Sequence, residues 1–352
     1  MHGGPVSRRQ ACVLPALAPS VWAVHLELVP LVEPTYRPPA FLPGGHLQTI
    51  HPALCRRVRV VTQRRERLEL PDGDFLDLDW AADGRERLAI LSHGLEASSK
   101  APYIQGMAAA LREQGWDVLA WNYRGCSGEM NRLLPFYHSG ASDDLHHVVQ
   151  HALAVHPAKR IDMIGFSLGG NMTLKYLGER DAHPRLHRAV AFSVPCDLAC
   201  SSKRLATRTN RLYMDRFLRT LRRKLVAKKP RFPREIDLEG IGEVRNFRQF
   251  DDRFTAPLHG FRDAEDYWAR ASSRPFLPRI RIPALLVNAA NDPFLGPGCF
   301  PREEAQASEF FHLEVPADGG HVGFSCANGG YWSEKRAIGF LGGALPNGRG
   351  LQ

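Results

Sequence analysis

The chain has 352 residues, 44% of them hydrophobic and 24% charged, with a formal net charge of +9. That balance belongs to a folded globular protein and excludes a disordered or fibrous chain. Seven cysteines, from Cys12 to Cys326, form no CxxC pair and no framework spacing, so free thiols in a reducing cytosol are expected.

Residues 1–35 are expected to be an unstructured extension. The segment "SRRQACVLPALAPSVWA" (7–23) has two arginines and a moderately apolar run, as an export signal would. Prolines interrupt the run and it falls far short of the ~20 residues of a membrane span. A cytoplasmic location is therefore expected, and no other segment is long and apolar enough to cross a membrane. Pro-rich "EPTYRPPAFLPGG" then leads into the folded part.

From there, apolar stretches alternate with helical patterns, the signature of a mostly parallel sheet flanked by helices packed on it. Eight strands are expected, at about 57–70, 74–80, 87–92, 116–122, 160–166, 187–193, 281–288 and 310–315. The first two, with "LPDGDF" between them, read as a hairpin. Helices are expected near 101–114, 141–155, 168–179 and 332–342. The alternation breaks once, over about 197–278. There Leu212, Phe217, Leu218, Leu221 and Leu225 recur at helical spacing in an arginine-rich background. This reads as a helical cap inserted into one α/β domain covering 36–345.

The strand "RIDMIGF" ends in Gly165-Phe166-Ser167-Leu168-Gly169, and a helical pattern follows. Strand, G-x-S-x-G and helix in that order make a nucleophile elbow, a strained turn that lifts a serine hydroxyl clear of the sheet. A serine hydroxyl needs a base, and the base needs an acid, in the chain order Ser, Asp or Glu, His. After the strand "IPALLVN" comes "AANDPFLG" with Asp292. After the next strand, "FFHLEV", comes "PADGGHVGF" with His321. Loops at the carboxyl ends of parallel strands share one rim, so Ser167, Asp292 and His321 are expected to meet there. Asp318 and Asp197 are rival acids. Acyl transfer also needs two backbone N–H groups for the oxyanion. Leu168, after the serine, and Leu95, in "ILSHGLEASS", are the expected donors.

The segments "FLPGGHLQTI" (41–50), "SHGLEASSKAPY" (92–103), "NYRGCSGEMNR" (122–132), "YHSGASDDL" (137–145), "GFSLGGN" (165–171), "NAANDPF" (288–294) and "GGHVGF" (319–324) carry a resemblance. The chain resembles the AB hydrolase 4 family, the bacterial YheT-like esterases and their animal relatives, within the α/β-hydrolase fold. The resemblance covers about residues 38 to 345. It implies a serine triad at Ser167, Asp292 and His321, ester substrates, and neither cofactor nor metal. Two departures, Gly44-Gly45 where Asn-Pro is common and Ala97 where glycine is common, bear on the acyl pocket rather than the chemistry.

Other signals receive plainer readings. Asp143, His147 and His151 share a helical face at i, i+4 and i+8, but that face is opposite Leu145, Val148 and Val149 and is expected in solvent, not on a metal. His93 and His138 are expected to hold loops, and Cys126 has no nearby base in sequence. Segment 201–234 holds thirteen Lys or Arg against Asp215 alone, a net of +12, so the rest of the chain sums to −3. No recognised nucleic-acid-binding motif is found there. A solvated face, or peripheral contact with an anionic membrane, is expected instead. The functional reading is a serine hydrolase of short- to medium-chain or lipid esters. An acyltransferase and a non-catalytic ligand-binding module are its alternatives.

Overall fold

Short apolar runs between polar turns become the strands of one sheet. In a computed structural model of the chain, which describes residues 1–4 and 31–343, the strands are β1 (Leu31–Val32), β2 (Arg64–Glu69), β3 (Phe75–Ala81), β4 (Arg87–Ser92), β5 (Asp117–Asn122), β6 (Arg160–Phe166), β7 (Leu186–Phe192), β8 (Ala284–Val287) and β9 (Phe311–Glu314). They lie in the order β1-β9-β8-β7-β6-β4-β5-β3-β2. Neighbours from β1 to β5 are parallel. The β2–β3 hairpin is antiparallel and closes one edge against β5.

Among the described residues the sheet has nine strands where eight were expected. The addition is β1, whose two residues pair with Leu313 and Glu314 of β9 inside the stretch expected to be unstructured. Two residues carry no readable periodicity. The rest of that expectation, with the candidate export signal, falls mainly on residues 5–30, outside the described residues. β2 starts at Arg64, not near 57, because it begins opposite Trp80 and its partner β3 ends one residue later at Ala81.

Alternation along each strand divides the core between two layers. Leu88 and Ile90 of β4 pack with Leu145 and Val148 of α3 (Ser142–Val155) and Met172 of α4 (Leu168–Glu179). Ala89 and Leu91 point the other way, toward Ile104 and Met107 of α2 (Pro102–Glu113) and Phe340 of the C-terminal helix Trp332–Leu341. A further helix, α1 (Gly44–Cys55), lies in the "FLPGGHLQTI" segment, where no helix was expected. Its inward residues are Gln48, Thr49 and Pro52, so its buried face is polar and escapes a search for apolar periodicity.

Between β7 and β8 the described chain is helical or irregular, with α5 (Leu198–Leu205), α6 (Arg211–Lys228) and shorter turns. This insertion has its own core, in which Met214, Leu218 and Leu225 of α6 meet Val244, Phe250 and Phe254. Phe294, from the loop after β8, joins the same cluster and ties the insertion to the sheet. Leu212, expected on the apolar face of α6, instead points out and is exposed.

Candidate active site

Ser167 links β6 to α4 with φ 54° and ψ −120°, a backbone conformation that strains any residue with a Cβ. The crowding around it explains both glycines. A Cβ on Gly165 would lie 2.5 Å from the Gly169 carbonyl oxygen, and one on Gly169 would lie 2.4 Å from the carbonyl oxygens of Ser92 and His93. The Ser167 N–H donates to the Phe192 carbonyl at 2.8 Å, anchoring the turn to β7. The side chain is thereby held at the carboxyl rim of the sheet.

Loops after β8 and β9 reach the same point. His321 Nε2 is 3.0 Å from Ser167 Oγ, and its Nδ1 is 2.9 and 3.2 Å from the two Asp292 carboxylate oxygens. The Asp292 side chain is fully buried, and its Oδ1 also accepts the Phe294 N–H at 2.9 Å. A carboxylate only accepts, so Nδ1 carries the imidazole hydrogen and Nε2 is free to accept from the serine hydroxyl. The Phe294 ring, 4.1 Å from the His321 ring, covers the imidazole. Ser167, Asp292 and His321 thus lie in one hydrogen-bonded row.

The rival carboxylates do other work. Asp318 accepts from Gln48 Nε2 at 3.1 Å and from Asn291 Nδ2 at 2.7 Å. Asp197 caps α5, taking the Cys200 N–H at 2.9 Å. Sequence reasoning missed the brace beneath the histidine. Gln48 Oε1 accepts the Gly319 N–H at 2.7 Å and an Asn291 amide hydrogen at 2.9 Å, while Thr49 Oγ1 accepts the His321 N–H at 2.8 Å. Two adjacent residues of α1 therefore hold the loops of both Asp292 and His321. The "HLQT" segment was the available signal, but it named a family and not a role.

The loop after β4 approaches the serine from the opposite side. A Cβ on Gly94 would lie 3.3 Å from Ser167 Cβ, so glycine permits the close approach. The Gly94 N–H is taken by Tyr103 OH at 2.8 Å and the Glu96 N–H by Tyr137 OH at 2.9 Å. Between them the Leu95 N–H has no acceptor among the described residues, nor does the Leu168 N–H at the start of α4. Such free N–H groups beside a serine can bind developing negative charge on a substrate oxygen. His93 is a brace: its Nδ1–H donates to the Gly94 carbonyl at 2.8 Å while Nε2 accepts the Tyr123 N–H. Burial drives its pKa down to about 3, so it stays neutral. His138 is part-buried, desolvation holds its pKa well below the usual histidine value, and its Nδ1 accepts the Gly140 N–H.

Two cavities meet at Ser167 and His321. An inner one of about 110 Å³ runs under the insertion, walled by Phe217, Phe250, Tyr267 and Trp268. An outer one of about 570 Å³ opens between α1, the 94–103 loop and α6. Glu96, beside Leu95, forms an ion pair of 2.8 Å with Lys224 of α6, whose Nζ is also 3.0 Å from Cys126 Sγ. Burial raises the Cys126 thiol pKa to about 11, which keeps it protonated.

The basic segment is less exposed than its sequence implies. Lys228 is buried and donates to Asn131 Oδ1 at 2.7 Å and the Leu134 carbonyl at 3.0 Å, with burial lowering its pKa to about 7. Lys224 and Lys228 therefore fasten the insertion and cannot face a membrane. Asp143 pairs with Arg180, and His151 with Glu66, so these two members of the i, i+4, i+8 set turn to different partners. No described helix is long and apolar enough to cross a membrane.

Residues 90–325 match the model of the alpha/beta hydrolase fold. YheT of Escherichia coli strain K12, an esterase by name, is 37% identical over 288 residues, covering 79% of this chain and 84% of YheT. Human phospholipase ABHD3 is 30% identical over 307 residues, covering 84% of this chain and 75% of ABHD3. Among solved structures, an esterase of Pyrococcus furiosus superposes with a TM-score of 0.53 at 18% identity, over 79% of this chain and 88% of that one. The parallel sheet, the serine turn and these similarities lead to one conclusion: the chain belongs to the α/β-hydrolase fold family, in the AB hydrolase 4 group with YheT and ABHD3.

Proposed function

We propose that the chain hydrolyses carboxylic esters through an acyl-enzyme on Ser167. The observation that carries this reading is the continuous hydrogen-bonded chain from Ser167 Oγ through His321 to buried Asp292. His321 Nε2 takes the hydroxyl proton as Oγ bonds to the ester carbonyl carbon. Asp292 fixes the tautomer and stabilises the imidazolium. The Leu95 and Leu168 N–H groups hold the oxyanion, each worth ~3–4 kcal/mol of barrier. Collapse breaks the ester C–O bond, and His321 returns the proton to the departing alcohol. Water, deprotonated by the same imidazole, then releases the acid.

The inner cavity takes the acyl chain, and its aromatic walls suit a short to medium one. The outer cavity takes the alcohol portion. Residues 36–345 act as one catalytic unit, with about 197–278 as its cap. We place the enzyme in the cytoplasm, acting on lipid esters at the surface of an anionic membrane. The esterase and phospholipase names of its relatives support this class of substrate.

A fluorophosphonate probe should label the protein at Ser167, and Ser167→Ala should abolish both labelling and ester turnover. Labelling that persists at another serine refutes the assignment.

A further inference from the structure

Helix α1 is built inside out. Its buried residues are Gln48, Thr49 and Pro52, spent on the brace and the site, while Leu47, Ile50 and Leu54 share its outer face at i, i+3 and i+7. Leu47 is 48% exposed and Leu54 76%. Phe41, 64% exposed, packs its ring edge against His51 of the same helix. Leu212, 80% exposed, adjoins Tyr213, which hydrogen-bonds and stacks on His46 at the start of α1. Isolated exposed leucines need no explanation, but several grouped on one helix and its immediate neighbour do.

The charge around this face is mostly positive, although Arg56, Arg64, Arg65 and Arg211 have carboxylate partners in Glu334, Glu66, Asp79 and Asp215. Residues 34–65 include six arginines and no Asp or Glu. Arg57 and Arg59, just beyond α1, are exposed, as are Arg211 and Arg216 at the start of α6. Ile50, Leu54 and Arg216 also wall the outer cavity, so its mouth opens beside the apolar face.

We propose that the outer face of α1, with Phe41 and Leu212, docks on an anionic lipid bilayer and turns the mouth of the outer cavity toward it. Apolar side chains enter the acyl boundary while the arginines meet lipid phosphates, the arrangement of an interfacial helix with a basic border. A lipid ester then passes from the bilayer to Ser167 without crossing bulk water. The inference rests on the ester-hydrolase reading and moves the contact from the basic cap to α1, since part of the cap's charge is buried.

The test uses the full chain and sedimentation with phosphatidylglycerol or phosphatidylcholine vesicles at low salt. Wild type should bind phosphatidylglycerol at least tenfold more tightly than phosphatidylcholine. Phe41→Ser/Leu47→Ser/Leu212→Ser should weaken phosphatidylglycerol binding on the order of tenfold or more, because three large apolar groups no longer leave water. Arg57→Gln/Arg59→Gln should weaken it several-fold at low salt and make little difference at high salt. Both variants should hydrolyse a short soluble nitrophenyl ester within about twofold of wild type, which shows that they fold and separates docking from chemistry. Equal binding to both vesicles, binding to neither, or a triple variant that binds like wild type overturns the proposal. So does a dimer lost in the triple variant without any vesicle binding, which assigns the face to a second copy. If wild type fails on the soluble ester, the hydrolase reading fails while the vesicle result still judges the docking.

Discussion

Replacing Lys224 by methionine should loosen the turn that presents the Leu95 N–H. The Lys224–Glu96 pair spans 2.8 Å, with side-chain exposures of 16% and 6%. Glu96 itself has φ 55°, a conformation a non-glycine residue holds only when its surroundings insist. Its carboxylate also accepts Tyr137 OH at 2.7 Å. Burial works to lower the Lys224 pKa, but its contacts with Cys126 and Glu96 raise it overall above the usual lysine value. Removing one partner of a buried pair typically costs about 3–5 kcal/mol, and the residual water contact of Lys224 puts this case near 3. Losing an oxyanion donor outright costs ~10²–10³ in kcat, which bounds the catalytic effect, and partial displacement should give roughly 10–100-fold. KM for a small soluble ester should move little. The double variant Lys224→Met/Glu96→Gln leaves neither charge orphaned and keeps an acceptor for Tyr137, so it should regain most of the lost stability. Steady-state kinetics and thermal unfolding of the three variants read both effects. An unchanged kcat in Lys224→Met, or equal destabilisation of the single and double variants, refutes the reasoning.

Asp292→Asn should leave the fold intact and lower kcat by up to ~10⁴, because the imidazole loses its tautomer and orientation. Asp318→Asn and Asp197→Asn should cost far less, and a larger kcat loss in either would move the acid role away from Asp292. Stability should fall as pH drops from about 6.5 toward 4.5. Buried His93 and part-buried His138, His146, His259 and His312 have folded pKa values depressed below the ordinary histidine value, His93 to about 3, with desolvation the leading cause in each. The unfolded chain therefore binds more protons across that window, and their stabilisation, complete above 6.5, is lost on acidification. Buried Asp251, raised to about 7, opposes them, because its folded form holds a proton the unfolded form has released above its ordinary value. Glu314 and Glu334, raised by burial, oppose them too, but five histidines set the sign against three carboxyls, so a melting midpoint that rises between pH 6.5 and 4.5 would refute this balance.

The strands under both layers were legible because burial on two faces writes continuous apolar runs, as in "RLAILS" and "RIDMIGF". Ser167, Asp292 and His321 were legible because each follows such a strand and chain order is part of the pattern. What escaped has a common cause, polar groups turned inward. Helix α1 buries Gln48 and Thr49 and exposes leucines, so its amphipathicity is reversed. Lys224 and Lys228 looked like members of a solvated face, but Glu96 and the carbonyls of the 134–135 turn receive them. A sequence records charge, and only the fold supplies the acceptors that let charge go inside.

The brace formed by Gln48 and Thr49 has a consequence for synthesis. Its partners Asn291, Gly319 and His321 lie 243, 271 and 272 positions further along the chain, and His321 lies 154 beyond Ser167. At ~5–20 residues per second, roughly 8–30 s separate the appearance of the serine from that of its base. Throughout that interval the nascent chain holds a serine without its base, and α1 waits with two polar side chains for loops not yet made. Under the proposed mechanism, a chain that still lacks His321 has no base for its serine, and ester turnover waits for the final loop to close over α1.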